Sequence, residues 1–301
     1  MPGESAGWVN HRPHLKRWVH TASTLLALAG AAFVVLKIAD HSAQIDITHF
    51  GAASWAGLAL LVVGYGASNA LLARAWWQLL KYFELQAPWP WTLKTYGVSQ
   101  INKYIPGNIF HLAGRQALGM SAGMAARPLA QSALWELAML ALLGLLYGAL
   151  ATPLGWPQMS ATTATVLWAS LLAFGYAALR RLGAKPLALA MGWQAGFLMM
   201  SGAVFIAVLL MSDHTSAAVS YSALPAVCGA YVLAWLAGLV TPGAPAGVGV
   251  REAVLLLLLG GLFAPADLLV AVVLGRVVTA SGDLLFYLYA LSIRTQTHGH
   301  V

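Results

Sequence analysis

Stretches of about twenty apolar residues recur along this chain, and that recurrence limits its fold more than any other feature. They run near 19–39, 53–75, 129–150, 159–179, 187–211 and 268–292. A hydrocarbon core of about 30 Å takes roughly 20 helical residues to cross, so each stretch predicts a full transmembrane helix. The 301 residues are 60% hydrophobic and 8% charged, which leaves too little polar surface for an aqueous globule. An all-α polytopic membrane protein is therefore expected. The first stretch lacks a small-residue cleavage site and is followed by others like it, which argues against a cleaved signal peptide. Cys228, the single cysteine, lies in an apolar segment, so no intrachain disulfide forms and the residue reads as a small buried hydrophobe.

The formal charge of +7 reports orientation first. His11 and Arg12 with Lys16 and Arg17, then Arg74, Lys81 and Lys94, then Arg180, Arg181 and Lys185, then Arg294 mark every second side, which the positive-inside rule makes cytoplasmic. The alternate connections carry Asp40 and Asp46, an uncharged 152–158, then Asp213 and Asp267; Lys37 is the misfit. Both termini, the tails 1–17 and 294–301, come out cytoplasmic. Trp76, Trp77, Trp89, Trp91 and Trp156 fall near predicted helix ends, where an amphipathic ring suits the membrane interface. Nucleic acid is not an expected partner.

Two apolar stretches, 91–125 and 221–263, are interrupted at their middles by Pro-Gly and polar residues. Proline removes an amide donor and glycine loosens the backbone, so Pro106-Gly107-Asn108 and the segment from Pro242 and Gly243 through Gly247 to Gly249 predict non-helical breaks. Such backbone persists at membrane depth only when buried in protein or lining a wet cavity. Two re-entrant helical hairpins are expected, the first entering from the cytoplasm and the second from outside; a pair of short complete spans at either place leaves the orientation of the rest unchanged. Arg115 follows Pro106-Gly107 at the spacing at which Arg251 follows Pro242-Gly243. Two spans, a hairpin and a span make up 18–155, and the same order recurs over 156–293 with every element reversed. That is the layout of inverted-topology repeats, which commonly bind substrate near the midplane where discontinuous helices meet.

Charges inside apolar segments cost at least about 2.5–3.5 kcal/mol each at the bilayer centre, so they mark cavities or internal pairs. Lys103, Arg115, Glu136, Arg251, Glu252, Arg276 and Asp283 stand out. The basic members suit a phosphate, and Arg115 and Arg251 are expected at or just inside the start of a half-helix whose free amides also favour an anion. The alternative is that arginines and glutamates pair to lock the two halves together. Glu136, between Trp135 and Leu137, is either a proton-coupling group or the partner of Arg115 or Arg251. Asp283 follows Arg276 by seven residues, about two helical turns, so a direct pair between them is not expected. Asn108 and His111 are candidates for sugar or phosphate contact, with hydrogen-bonded structural roles as the alternative. His298 and His300 show no metal-site pattern, no metal or cofactor is expected, and no nucleophile elbow or Walker loop is present. Asp40 and Asp46 are the visible candidates for a membrane glycosyltransferase.

The run Asn102-Lys103-Tyr104-Ile105-Pro106-Gly107-Asn108-Ile109-Phe110-His111 with Gly114-Arg115, and the run Pro245-Ala246-Gly247-Val248-Gly249-Val250-Arg251-Glu252-Ala253, resemble the flippase-like transmembrane family of lysylphosphatidylglycerol synthases. Both motifs fall in the family's order, Arg276 follows in the last span, and the likeness extends over nearly the whole chain. The Lys-Tyr-Ile-Pro-Gly-Asn form looks most like the glycan-associated members. The resemblance implies re-entrant segments around a lipid-accessible cavity in a bacterial-type cytoplasmic membrane, and it supports Lys103, Asn108, His111, Arg115, Arg251 and Glu252 as cavity residues. Two features depart from the family. The chain ends at Val301 without a soluble aminoacyl-transferring domain, so lysyl transfer is not expected, and Glu136 is followed by Leu137 where many members have arginine.

The expected function is translocation, without covalent change, of an anionic lipid such as a phospholipid or a polyprenyl-phosphate-linked sugar. Its headgroup phosphate would be held by arginines at the two breaks. A membrane-embedded glycosyltransferase and a non-transporting subunit that tethers glycan-assembly enzymes are the alternatives, and a homodimer is left open.

Overall fold

The computed structural model describes residues 51–104, 110–212, 221–241 and 244–294. The span expected at 19–39, the loop residues Asp40, Asp46 and Asp213, the break residues Pro106, Gly107, Asn108, Pro242 and Gly243, and the tail histidines lie outside them. Every regular element among the described residues is helical. In chain order they are α1 (Ala52–Tyr82), α2 (Trp89–Gln100), α3 (Phe110–Ser121), α4 (Ala126–Gly148), α5 (Ala161–Arg181), α6 (Lys185–Ser212), α7 (Leu224–Val240), α8 (Val250–Leu259) and α9 (Pro265–Ser292). Short tight-wound turns cover Ile101–Tyr104, Ala149–Ala151, Tyr221–Ala223 and Pro245–Gly247, and one further helical turn covers Thr152–Gly155.

Six helices are long and apolar enough to cross a bilayer: Ala52–Tyr82, Ala126–Gly155, Ala161–Arg181, Lys185–Ser212, Tyr221–Val240 and Pro265–Ser292. The chain is a multi-pass helical membrane protein. Its outward surface carries Leu60, Leu134, Phe174 and Leu257, each more than half open, as a lipid-facing surface does. Five of the six helices match the expected spans. The sixth, Tyr221–Val240, was expected to be one arm of a hairpin. It reaches spanning length because the Pro-Gly break comes only after twenty residues, whereas the returning arm α8 stops after ten, at Gly260. The first broken stretch is more even. Its arms α2 and α3 have 12 residues each, about 18 Å at the helical rise, and neither crosses a 30 Å core.

The packing is reciprocal. Helix α1 lies along α6, α2 packs against α9, and α7 packs against α4. Without a hydrophobic force between helices in lipid, close approach depends on small residues. A Cβ on Gly66 would lie 2.9 Å from the carbonyl oxygen of Gly282, and one on Gly282 would meet the Gly66 amide at 2.9 Å, so α1 and α9 touch backbone to backbone. On the opposite contact Gly229 of α7 fits against the Tyr147 carbonyl and the Ala151 amide, where a Cβ would come within 2.7 Å of both. Helix α5 is outermost, with Ala164 its one buried residue.

Tryptophan placement differs in part from the expected interfacial belt. Trp77 and Trp89 do sit at a helix end, with the Arg74 guanidinium 3.8 Å from the Trp89 ring and the Lys81 ammonium 3.3 Å from the Trp77 ring. Trp76 instead is buried in the core, its indole N–H donating to Ser132 Oγ at 3.2 Å. Ser132 supplies the partner that a buried indole needs, which allows the residue to leave the interface.

Candidate functional site

The two broken stretches meet, the Ile101–Tyr104 turn touching the Pro245–Gly247 turn. Between them and helices α1, α4, α6, α7 and α9 lies a cavity of about 70 Å³, part of it open to the exterior. Lys103, His111, Arg115, Glu136, Arg251, Arg276 and Asp283 all line it, although the sequence spreads them over 180 residues. Glu252 reaches the same group through Arg276. Tyr65, Leu72, Leu140, Phe197, Trp235 and Leu239 supply apolar and aromatic wall.

Local backbone positions the second turn. Gly247 and Gly249 adopt φ of 73° and 84°, a region that glycine enters without a Cβ penalty. Ala246 sits there too, at φ 48° and ψ 24°, and its carbonyl accepts from Arg276 Nη1 at 3.2 Å. A non-glycine residue in this conformation costs of order 1–3 kcal/mol, so the surrounding contacts must hold it. Glu252 does two jobs at the start of α8. One oxygen accepts the Gly249 N–H at 2.6 Å, and the other pairs with Arg276 Nε at 2.8 Å. Arg251 lies at the second residue of α8, as expected. Arg115 does not occupy the matching place. It lies five residues beyond Phe110, the first described residue of α3, so its side chain and not a helix end carries the positive charge there.

Three of the four cavity cations are held by carboxylates. Arg115 Nη1 lies 2.6 Å from Glu136 Oε2, inside a cage formed by the Tyr96 and Trp76 rings at 4.4 and 5.2 Å. Tyr96 donates to the other glutamate oxygen at 2.9 Å, and Gln194 donates to the Glu136 carbonyl at 3.3 Å. Of the two readings left open for Glu136, the geometry contains the pair with Arg115. Arg276 is held by Glu252, as above. Lys103 Nζ lies 2.8 Å from Asp283 Oδ2, which also accepts from the Tyr104 hydroxyl at 2.6 Å. Arg276 and Asp283 do not pair with each other, in keeping with their spacing. Arg115 with Glu136 and Arg276 with Glu252 each join residues near in sequence, whereas Lys103 with Asp283 joins residues far apart in the chain.

Arg251 is different. It is 7% exposed, its Nη2 donates to the Tyr231 hydroxyl at 2.7 Å, and among the described residues no carboxylate lies in ion-pair contact with it. Its Nε is buried without a hydrogen-bond partner, and so are Oδ1 of Asp283 and Nδ1 of His111. A buried unsatisfied polar group costs about 1–3 kcal/mol, more when charged, so three facing one cavity are unusual.

Tyr96, Tyr104 and Tyr231 organise these charges and were not singled out from the sequence. Tyrosine is as common in lipid-facing and core positions as in polar networks, so its residue type carried no signal. The nearest one is positional: Tyr96 and Tyr231 precede Arg115 and Arg251 by nearly equal distances, 19 and 20 residues. Compared with known families and with characterised proteins, the chain matches no family model and no characterised sequence.

Proposed function

We propose that the protein translocates an anionic lipid between leaflets, with the headgroup in the cavity between the hairpin turns and the hydrocarbon tail in the bilayer. Arg251 carries this reading. A buried guanidinium without a carboxylate is costly at membrane depth, and an anion that enters the cavity relieves the cost. Leu137 and Leu239, apolar residues of the cavity wall, are both part-exposed, which gives a tail an apolar surface at the cavity. Lys103, Arg115 and Arg276 are committed to carboxylates, so they shape the field of the site while Arg251 contacts the phosphate first. The carboxylates Glu136, Glu252 and Asp283 are each engaged in an ion pair, which favours binding and movement over acid–base chemistry.

In this reading the two halves, 18–155 and 156–293, are inverted repeats, their hairpins are re-entrant, and both termini face the cytoplasm of a bacterial-type cell. The short 12-residue arms of the first hairpin and the reciprocal packing support it. The test is reconstitution into liposomes containing a fluorescent polyprenyl-phosphate sugar or anionic phospholipid, followed by quencher accessibility over time. Acceleration by the protein, lost in Arg251→Ala, is expected. Folded protein that accelerates none of these lipids would reject translocation and leave the transferase and tethering readings.

A further inference from the structure

We propose that the cavity selects a headgroup with a single negative charge and a neighbouring hydroxyl, and discriminates against diphosphate and zwitterionic headgroups. The chemistry is that of a phosphodiester next to a polyol, which a glycerol phospholipid and a monophosphate-linked sugar share. The inference rests on the lipid reading above and narrows it.

The charge balance gives the first half of the argument. Among the described residues the site holds four cations, Lys103, Arg115, Arg251 and Arg276, against three carboxylates, Glu136, Glu252 and Asp283. One positive charge is left over, and it resides on Arg251. In a buried site an unmatched charge of either sign is expensive, so the best-matched guest carries one negative charge. A diphosphate brings about two and leaves the site net negative. A zwitterion brings none and leaves Arg251 unmatched.

The unpartnered atoms give the second half. Arg251 Nε is a donor and calls for an acceptor, which a phosphate oxygen supplies. Asp283 Oδ1 is an acceptor on a carboxylate already bound to Lys103 and calls for a donor. An ammonium would meet the excess positive charge of the site, so the fitting donor is a neutral hydroxyl. His111 Nδ1 accepts from or donates to a second hydroxyl, according to its tautomer. All three residues are more than nine-tenths buried and line one cavity. A guest with both an anionic oxygen and hydroxyls satisfies donor and acceptor together, and a bare anion satisfies only one.

The test is equilibrium binding to the purified full chain in detergent, read by tryptophan fluorescence, since Trp235 lines the cavity. The probes are short-chain phosphatidylglycerol, citronellyl phosphoryl glucose, short-chain phosphatidylmethanol, citronellyl diphosphoryl glucose and short-chain phosphatidylethanolamine. The two hydroxylated monoanions should lead, and whichever of them binds tighter identifies the source of the headgroup. Phosphatidylmethanol, which keeps the charge and lacks the hydroxyls, should bind at least about tenfold more weakly, as should the diphosphate and the zwitterion. In Asp283→Asn the site gains one positive charge. The advantage of phosphatidylglycerol over phosphatidylmethanol should then shrink to less than about threefold while the diphosphate tightens about tenfold. Equal binding of phosphatidylmethanol, or tighter binding of the diphosphate by the unmodified protein, would overturn the inference without reference to any variant. Ranked binding with no translocation would reject the transport reading and keep this one. Rapid translocation of diphosphate or zwitterionic lipids would do the reverse.

Discussion

Arg115 and Arg251 follow their Pro-Gly breaks at the same distance, and each lies against a tyrosine of the preceding arm, Tyr96 or Tyr231. Their surroundings then diverge. The first arginine has Glu136 from the next helix, with both carboxylate oxygens used. At the second, the next helix supplies a cation instead, Arg276, and the adjacent carboxylate, Glu252, is spent on Arg276 and on the Gly249 amide. Reversing the sign contributed by one helix turns a closed ion pair into an open charge. One arginine is thereby braced by a carboxylate, and the other keeps a buried Nε without a hydrogen-bond partner.

The comparison breaks most sharply at the carboxylate. Glu136→Gln strips Arg115 of its counter-charge and should cost about 3–5 kcal/mol in thermal unfolding in detergent, whereas Arg251→Gln removes a charge that had no counterpart and should stay within about 1 kcal/mol of the parent or exceed it. Equal losses from the two would erase the distinction. The tyrosines come next. Tyr231→Phe deprives Arg251 of its hydrogen-bond acceptor and should cost about 1.5–3 kcal/mol by the same measurement, unless a saturating anionic lipid is present to take over. Packing sharpens the comparison at the two reciprocal contacts. Gly229→Ala presses a methyl on the backbone of α4 and should cost about 1–3 kcal/mol with no rescue from a smaller neighbouring side chain, while Gly97→Ala meets the Ala290 methyl and should be rescued by Ala290→Gly. Smallest is Tyr96→Phe, about 1 kcal/mol, because Glu136 keeps Arg115 after losing the phenol.

How much of this was legible depended on what the residue type commits to. Helices such as Lys185–Ser212 were readable because twenty apolar residues have few alternatives to a membrane span. Charges such as Lys103 and Asp283 were readable as site residues because an apolar chain tolerates them only where they meet one another. The choice of partner was not: Glu136 had two arginines open to it, and α2, α3 and α4 had to pack before one of them came within reach. Arm length was hidden as well, since Pro242-Gly243 marks a break but Gly260 ends the returning arm. Trp76 misled because its indole suits an interface and a core equally, and Ser132, 56 residues away, decided between them.

The contact of Gly66 with Gly282 has a mechanical side. A Cβ on Gly282 would meet the Tyr65 ring at 2.9 Å as well as the Gly66 amide, so backbone and ring together set the spacing of α1 and α9, and a side chain at either glycine would push the two helices apart. Asp283 is the next residue along α9 and holds Lys103 of the Ile101–Tyr104 turn. A change in that spacing would therefore shift the ion pair of Asp283 with Lys103, and with it the acceptor oxygen that faces the cavity.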